Sequence, residues 1–324
     1  MSILVTGAAG FIGSYVAHAL LTRGERVIGI DNLNSYYPVA LKEARLERLK
    51  AKSAFTFHQI DIADFEKLKD AVQNAGVTAI VHLAAQAGVR YSIEAPFTYG
   101  HANLMGHLSI IELARALRVN HLVYASSSSI YGANKEIPFS ESHKTDAPQS
   151  LYGATKKADE LMSASYASLY DLPQTGLRYF TVYGPWGRPD MAYWIFTEKM
   201  LKGEPIQIFN HGEMGRDFTY IDDIVSGTLA ALDRPPGKKE GFHQVYNLGN
   251  DRPEKLMTLV EILENELGVK AEKQMLGMQD GDVEQTWADI SRARKELGYA
   301  PKVTLAEGLA RFVEWRRALP AGFE

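Results

Sequence analysis

Three glycines near the start of this chain restrict its fold more than any other feature: Gly7, Gly10 and Gly13 follow a short β-rich run, 2–6, and open an apolar helical pattern. A strand that passes this abruptly into a helix needs backbone angles that other residues resist, and the last glycine lets the helix pack against the strand. The N–H groups of the turn and the helix dipole then converge on one point, which suits a pyrophosphate. The spacing is Gly-x-x-Gly-x-x-Gly rather than Gly-x-Gly-x-x-Gly, so the support for this reading is positional. Asp31 closes the second β-rich run, 27–30, eighteen residues beyond Gly13. There a carboxylate accepts hydrogen bonds from ribose hydroxyls and repels a 2′-phosphate, which favours NAD over NADP.

Further β-rich runs at 55–60, 79–83, 121–126 and 175–178 alternate with amphipathic stretches such as 41–50 and 64–74. This alternation predicts an α/β fold: a Rossmann-type parallel sheet with helices on both faces. At about Arg178 it gives way to a stretch rich in Gly and Pro, from Tyr183 to Pro189, typical of a domain edge or binding loop. A helix over 222–232 and a strand over 245–248 follow. We therefore expect an NAD-binding domain over 1–180, with 218–249 returning to it, and a discontinuous, smaller substrate-binding domain over 181–324. The charge-rich stretch 42–52 reads as a solvated helix face.

Composition narrows the function. With 35 Lys and Arg against 39 Asp and Glu, the formal charge of −4 implies no broad basic surface, so no nucleic-acid partner is expected. No apolar run reaches membrane-spanning length, and no positive charge precedes the apolar start in the manner of a secretory signal, so we expect a cytoplasmic protein that does not enter membranes. The absence of cysteine rules out thiolate catalysis and Cys-based metal sites. The nine histidines show no metal-ligand spacing, no metal is expected, and no Gly-x-Ser-x-Gly elbow occurs.

Tyr152 and Lys156 lie one turn apart at the start of a long helical pattern, and an ammonium beside a phenol supports proton transfer by that phenol. The spacing recurs at Tyr131 and Lys135, but Gly132 and a loop intervene there, so nothing holds that pair on one helical face. Tyr152 is favoured because the serine run 126–129 leaves the end of the fifth strand, the edge at which α/β sheets place ligands.

Together the glycine turn, Asp31, Asp61 with Ile62, the run His82, Leu83, Ala84, Ala85, the serines and Tyr152/Lys156 resemble the extended short-chain dehydrogenases/reductases across nearly the whole chain. The resemblance implies a bound NAD contacted by Gly7, Gly10, Phe11, Ile12, Gly13, Asp31, Asn32, Asp61, Ile62, Leu83, Ala84, Ala85, Tyr152 and Lys156. It implies catalysis by Ser127 at the reacting oxygen, Tyr152 as acid/base and Lys156 on the nicotinamide ribose. Dehydratases of this superfamily carry an Asp-Glu pair after the serine; here the residues are Ser128 and Ser129, which leaves reversible oxidation at one carbon.

The segments LRYFTVYGPWGRPDM (177–191) and DNLNSYY (31–37) resemble the UDP-glucuronate 4-epimerase branch. That branch converts UDP-glucuronate to UDP-galacturonate through a 4-keto sugar, and the resemblance implies Ser127, Ser128 and Thr181 as carboxylate ligands with Arg188 as a further anion ligand. It places Arg216 on the diphosphate, Asp282 on the uridine ribose, and Phe209 at uracil. Where many relatives have a second phosphate-binding arginine, this chain has Gln279 and Asp280. A homodimer joined by helices around 105–117 and 152–169 is also implied. Two readings stay open against this one: an epimerase of neutral UDP-hexoses (UDP-glucose/UDP-galactose), and a non-catalytic NAD-sensing protein.

Overall fold

The computed structural model describes residues 1–279, 281–319 and 323. The chain runs β1 (Ser2–Thr6), α1 (Phe11–Thr22), β2 (Arg26–Asp31), α2 (Val39–Lys50), β3 (Phe55–Gln59), α3 (Phe65–Val72) and β4 (Val77–His82). Then come the short helices α4 (Tyr91–Glu94) and α5 (Pro96–Tyr99), a π-helical segment Gly100–Met105, α6 (Gly106–Leu117), β5 (His121–Ser127), α7 (Leu151–Tyr170) and β6 (Gln174–Tyr179). These strands are wholly parallel, in the order β6-β5-β4-β1-β2-β3. Alternate residues of a strand face opposite sides of a sheet, and here both sides are apolar. Ile3 and Val5 of β1 join one core while Leu4 joins the other, and Val123 and Leu122 of β5 divide likewise.

Beyond β6 lie β7 (Thr181–Tyr183), α8 (Ala192–Lys202), β8 (Ile206–Ile208), β9 (Gly215–Tyr220), α9 (Ile221–Leu232) and β10 (His243–Leu248). The remaining elements are β11 (Pro253–Lys255), α10 (Leu256–Leu267), β12 (Lys273–Met275), α11 (Ser291–Leu297) and α12 (Leu305–Ala318). β10 pairs in parallel with β6 and becomes the seventh strand of the large sheet, His243 opposite Gln174 and Leu248 opposite Tyr179. Within 218–249, therefore, β10 lies in that sheet and α9 packs against α1, β5 and β6, whereas Phe218 to Tyr220 belong to a small sheet β11-β9-β7. A pair β12-β8 completes the smaller part.

The order of the large sheet determines where a ligand can sit. The chain leaves β1 towards β2 and β3, then crosses back to β4 on the other side of β1. The connections diverge at the carboxyl ends of β1 and β4 and leave a crevice between them. Among the described residues, no helix is long and apolar enough to cross a membrane.

Candidate active site

The glycine turn occupies that crevice. Gly7 has φ 70°, and a Cβ there would stand 2.7 Å from the Ala84 amide nitrogen; a Cβ on Gly13 would stand 2.0 Å from the Gly7 carbonyl oxygen. Both contacts are impossible for any larger residue, so the glycines let β1, the turn and the start of α1 close upon Leu83 and Ala84. No side chain caps the N-terminus of α1. Its N–H groups remain available to an anion, as a dinucleotide phosphate requires. Asp31 accepts from Ala9 N at 3.1 Å and Leu33 N at 2.9 Å. Two of its lone-pair directions remain for ribose hydroxyls. Burial pushes its carboxyl up, against the pull of those N–H groups and of Lys42. Asp61 accepts from Asn32 Nδ2 at 3.1 Å, which ties the expected adenine and ribose contacts together. A cradle closed to any Cβ, an uncapped helix start and a carboxylate beside it fit NAD.

At the end of β5 the four serines separate by role. Ser126 donates to Glu160 at 2.7 Å, on the side of the buried Glu160–Arg178 pair. Ser127 accepts from Ser129 N at 3.1 Å and caps the 3₁₀ turn Ser128–Tyr131. Ser150 caps α7 by accepting from Gly153 N at 3.0 Å, which sets Tyr152 in the first turn. One turn later Lys156, almost fully buried, donates to Ala125 O and to Asp159, each at 3.0 Å. The competing Tyr131 is spent in the core: it donates to Asn247 at 2.7 Å and accepts from Arg178 at 2.9 Å.

One cleft is walled by Gly7, Gly10, Phe11, Ile12, Gly13, Asp31, Asn32, Asp61, Ile62, Leu83, Ala84 and Ala85 together with Ser127, Ser128, Tyr152, Thr181, Arg188, Arg216 and Asp282. Two expected residues stand off its wall. Lys156 lies behind Ala125, and Phe209 lies beneath the Arg90 guanidinium at 5.1 Å. Arg216 donates to Gly215 O at 2.9 Å and Glu284 O at 3.2 Å; burial pushes its guanidinium down, Asp282 opposing and Arg90 adding to the effect. The buried Gln279 Oε1 has no hydrogen-bond partner among the described residues, and Asp280 lies outside them.

Arg188 is not an unpaired cation. Its Nε donates to Asp190 at 2.9 Å, its Nη2 pairs with the second carboxylate oxygen, and Tyr36 donates to the same carboxylate at 3.0 Å. Against the cost of burial, Asp190 raises Arg188 above the ordinary guanidinium range.

The stretch 42–52 requires a correction. Lys42 and Arg45 are buried, not solvated. Lys42 lines the cleft near Asp31, donates to Asn34 O at 2.6 Å, and burial pushes its ammonium down to about 8. Sequence reasoning also missed Arg90, which meets Asp282 at 3.3 Å across 192 positions of chain. No local pattern marks such a pair. Tyr36 and Asp190, by contrast, stand inside segments singled out by resemblance.

The model of the NAD dependent epimerase/dehydratase family matches residues 3–249. UDP-glucuronate 4-epimerase 4 of Arabidopsis thaliana is 51% identical over 97% of this chain and 75% of its own length. Among solved structures, UDP-glucuronic acid 4-epimerase from Bacillus cereus, in complex with UDP-glucuronic acid and NAD, aligns with a TM-score of 0.90 at 38% identity, covering 98% of this chain and 99% of that one. UDP-glucose 4-epimerase from Thermotoga maritima, with UDP-glucose, aligns with a TM-score of 0.88 at 34% identity, covering 98% and 99%.

Proposed function

The chain belongs to the NAD dependent epimerase/dehydratase family, and from that premise we propose that it interconverts UDP-glucuronate and UDP-galacturonate by NAD-dependent epimerisation at C4. The observation that carries this reading is the shared cleft: the glycine turn and Asp31, the Ser127/Tyr152 pair, and Arg216 with Asp282 wall one space. A nucleotide sugar held there by its diphosphate places its ring between the catalytic pair and the cofactor.

Held by the glycine turn and Asp31, NAD would supply a reversible hydride acceptor at C4 of the sugar, with no net redox change over the cycle. Tyr152 takes the C4 hydroxyl proton on oxidation and gives it back on reduction. Ser127 hydrogen-bonds the same oxygen, its own orientation fixed by the Ser129 amide. Lys156 has three donors, of which Ala125 O and Asp159 take two; the third serves the nicotinamide ribose. A 4-keto uronate is a β-keto acid that loses carbon dioxide when its carboxylate bond aligns with the ketone. Hydroxyls of Ser127, Ser128 and Thr181 hold the carboxylate away from that alignment, with Arg188 completing the anion site. Ser128 and Ser129 also stand where an acid pair would serve elimination. Arg216 holds the diphosphate and Asp282 the uridine ribose, while Phe209, expected at uracil, packs beneath the Arg90 guanidinium that meets Asp282.

The domain division, 1–180 with 218–249 for cofactor and 181–324 for substrate, belongs to the same proposal, supported by β10 in the large sheet. So does a homodimer. On α7, Leu151, Ala154, Ala158 and Leu161 form one exposed to half-exposed stripe, and the neighbouring segment exposes Phe97 and Met105. A cytoplasmic setting completes it, in keeping with a chain free of cysteine.

The test is incubation of the purified protein with UDP-glucuronate and, separately, UDP-glucose, without added NAD. UDP-galacturonate from the first alone is expected. UDP-galactose from the second moves the chain to neutral hexoses, and no product in either sinks the proposal.

A further inference from the structure

Arg45 of α2 takes no part in the chemistry above, yet its side chain is fully buried. All five of its N–H donors are used. Nε and one Nη2 hydrogen go to Trp186 O at 3.0 and 2.7 Å, the other Nη2 hydrogen to Gly187 O at 2.6 Å. Nη1 donates to Ala9 O at 3.1 Å and to the Tyr37 hydroxyl at 2.8 Å. None of these acceptors is a carboxylate. A cation buried without a contacting anion is costly, and what arginine supplies here is a rigid fork that spans several carbonyls at once.

Those carbonyls belong to two parts of the cleft. Ala9 lies in the glycine turn, while Trp186 and Gly187 lead directly into Arg188, Asp190 and Met191, of which Arg188 and Met191 line the cleft. Trp186 has φ 60°, a backbone conformation that a bulky side chain rarely keeps unless its surroundings hold it. Its carbonyl receives two of the five bonds. Tyr15 of α1 donates to the preceding carbonyl, Pro185 O, at 3.0 Å, and Arg48 of α2 lies 4.9 Å over the Trp186 ring. The carbonyls of Pro185, Trp186 and Gly187 are thus all held by side chains from the first two helices, although this loop opens the part of the chain beyond the sixth strand.

We propose that Arg45 is a positioning residue which transmits the form of the cofactor-binding turn to the substrate loop. With Ala9 in place, the guanidinium keeps Trp186 in its left-handed conformation and so holds Arg188, paired with Asp190, at the cleft wall. The identity of that substrate rests on the function proposed above; the mechanical link does not.

Arg45→Lys tests it, because lysine keeps the charge but brings three donors and no fork. In the NAD-loaded variant the KM for UDP-glucuronate should rise about ten-fold or more, with kcat falling less than about three-fold and the inhibition constant of UDP, which lacks the sugar, staying within about two-fold. Combined with Arg188→Ala, it should add little to the KM of Arg188→Ala alone, since neighbours acting through one another are non-additive. Hydrogen exchange of the amides in 184–191 should quicken by about ten-fold or more. An unchanged KM and exchange, a UDP constant that rises with the KM, or additive losses in the double variant would overturn the link. Should Arg45→Lys fail to fold, the unaltered protein decides: stripping NAD should speed exchange in 184–191, and indifference to NAD would refute the proposal. Neither exchange measurement uses substrate, so a chain that ignores UDP-glucuronate still answers the question.

Discussion

Tyr152 owes its place to two neighbours: Ser150, which starts its helix, and Lys156, which follows one turn on behind the end of β5. Replacing Tyr152 with Phe removes the proposed proton carrier and leaves the ring packed edge-on to Tyr99 at 6.1 Å. Turnover should fall by a factor on the order of 10² to 10⁴, the usual worth of a general acid/base, while NAD released on denaturation stays at the wild-type amount per subunit. Undiminished kcat would remove Tyr152 from the chemistry. Such residues were readable in the sequence because their spacing is local: one helical turn, or one strand end. Arg45 and Lys42 were not. A charged residue on a helix is solvated by default, and here the carbonyls of Ala9, Asn34, Trp186 and Gly187 and the Tyr37 hydroxyl make burial tolerable. Arg188 shows the same limit from the other side: its position on the cleft was legible, its pairing with Asp190 was not.

Element boundaries follow physical punctuation. The glycine turn, the second strand ending at Asp31 and the helix opening at Ser150 all lie where the residues place them, because each is set by a backbone or capping requirement within a few positions. The π-helical segment Gly100–Met105, which packs against α7, carries no comparable mark. The cap offers a measurement. Ser150→Ala leaves the Gly153 amide without its acceptor and should cost about 1 kcal/mol in chemical denaturation. Since Tyr152 sits in the turn so loosened, kcat should fall as well, though far less than in Tyr152→Phe. A stability loss with kcat unchanged would mean that the first turn of α7 is held by its packing, not its cap.

For the molecule as a whole, acid is the sharpest stress. Burial pushes the imidazoles of His107, His121 and His243 down to about 4, and that of His82 well below its ordinary value. The unfolded chain binds these protons near the ordinary imidazole value of 6.5, so between 6.5 and about 4 it holds more protons than the native state. Stability is therefore complete above pH 6.5 and is lost as pH falls towards 4, by up to about 3 kcal/mol for each of the three. The melting temperature should be level from about pH 8 to 6.5 and drop steeply below; a level profile down to about pH 4.5 would contradict it. The proposed dimer is tested at the same scale: Leu161→Glu places a charge in the α7 stripe and should halve the mass seen by light scattering, with NAD retained. A monomeric wild type would dismiss the interface. The alternation of β-rich and helical runs made the parallel sheet legible, but not the order in which its strands lie. That order has a consequence during synthesis. β10 completes the sheet beside β6, yet β7, α8, β8, β9 and α9 are translated between them. By Lys156 a nascent chain already contains every residue expected to touch NAD, but β6 stays unpaired on its outer side until Leu248 clears the ribosome. A stalled or truncated message in that interval releases a chain whose open strand is ready to pair with its copies.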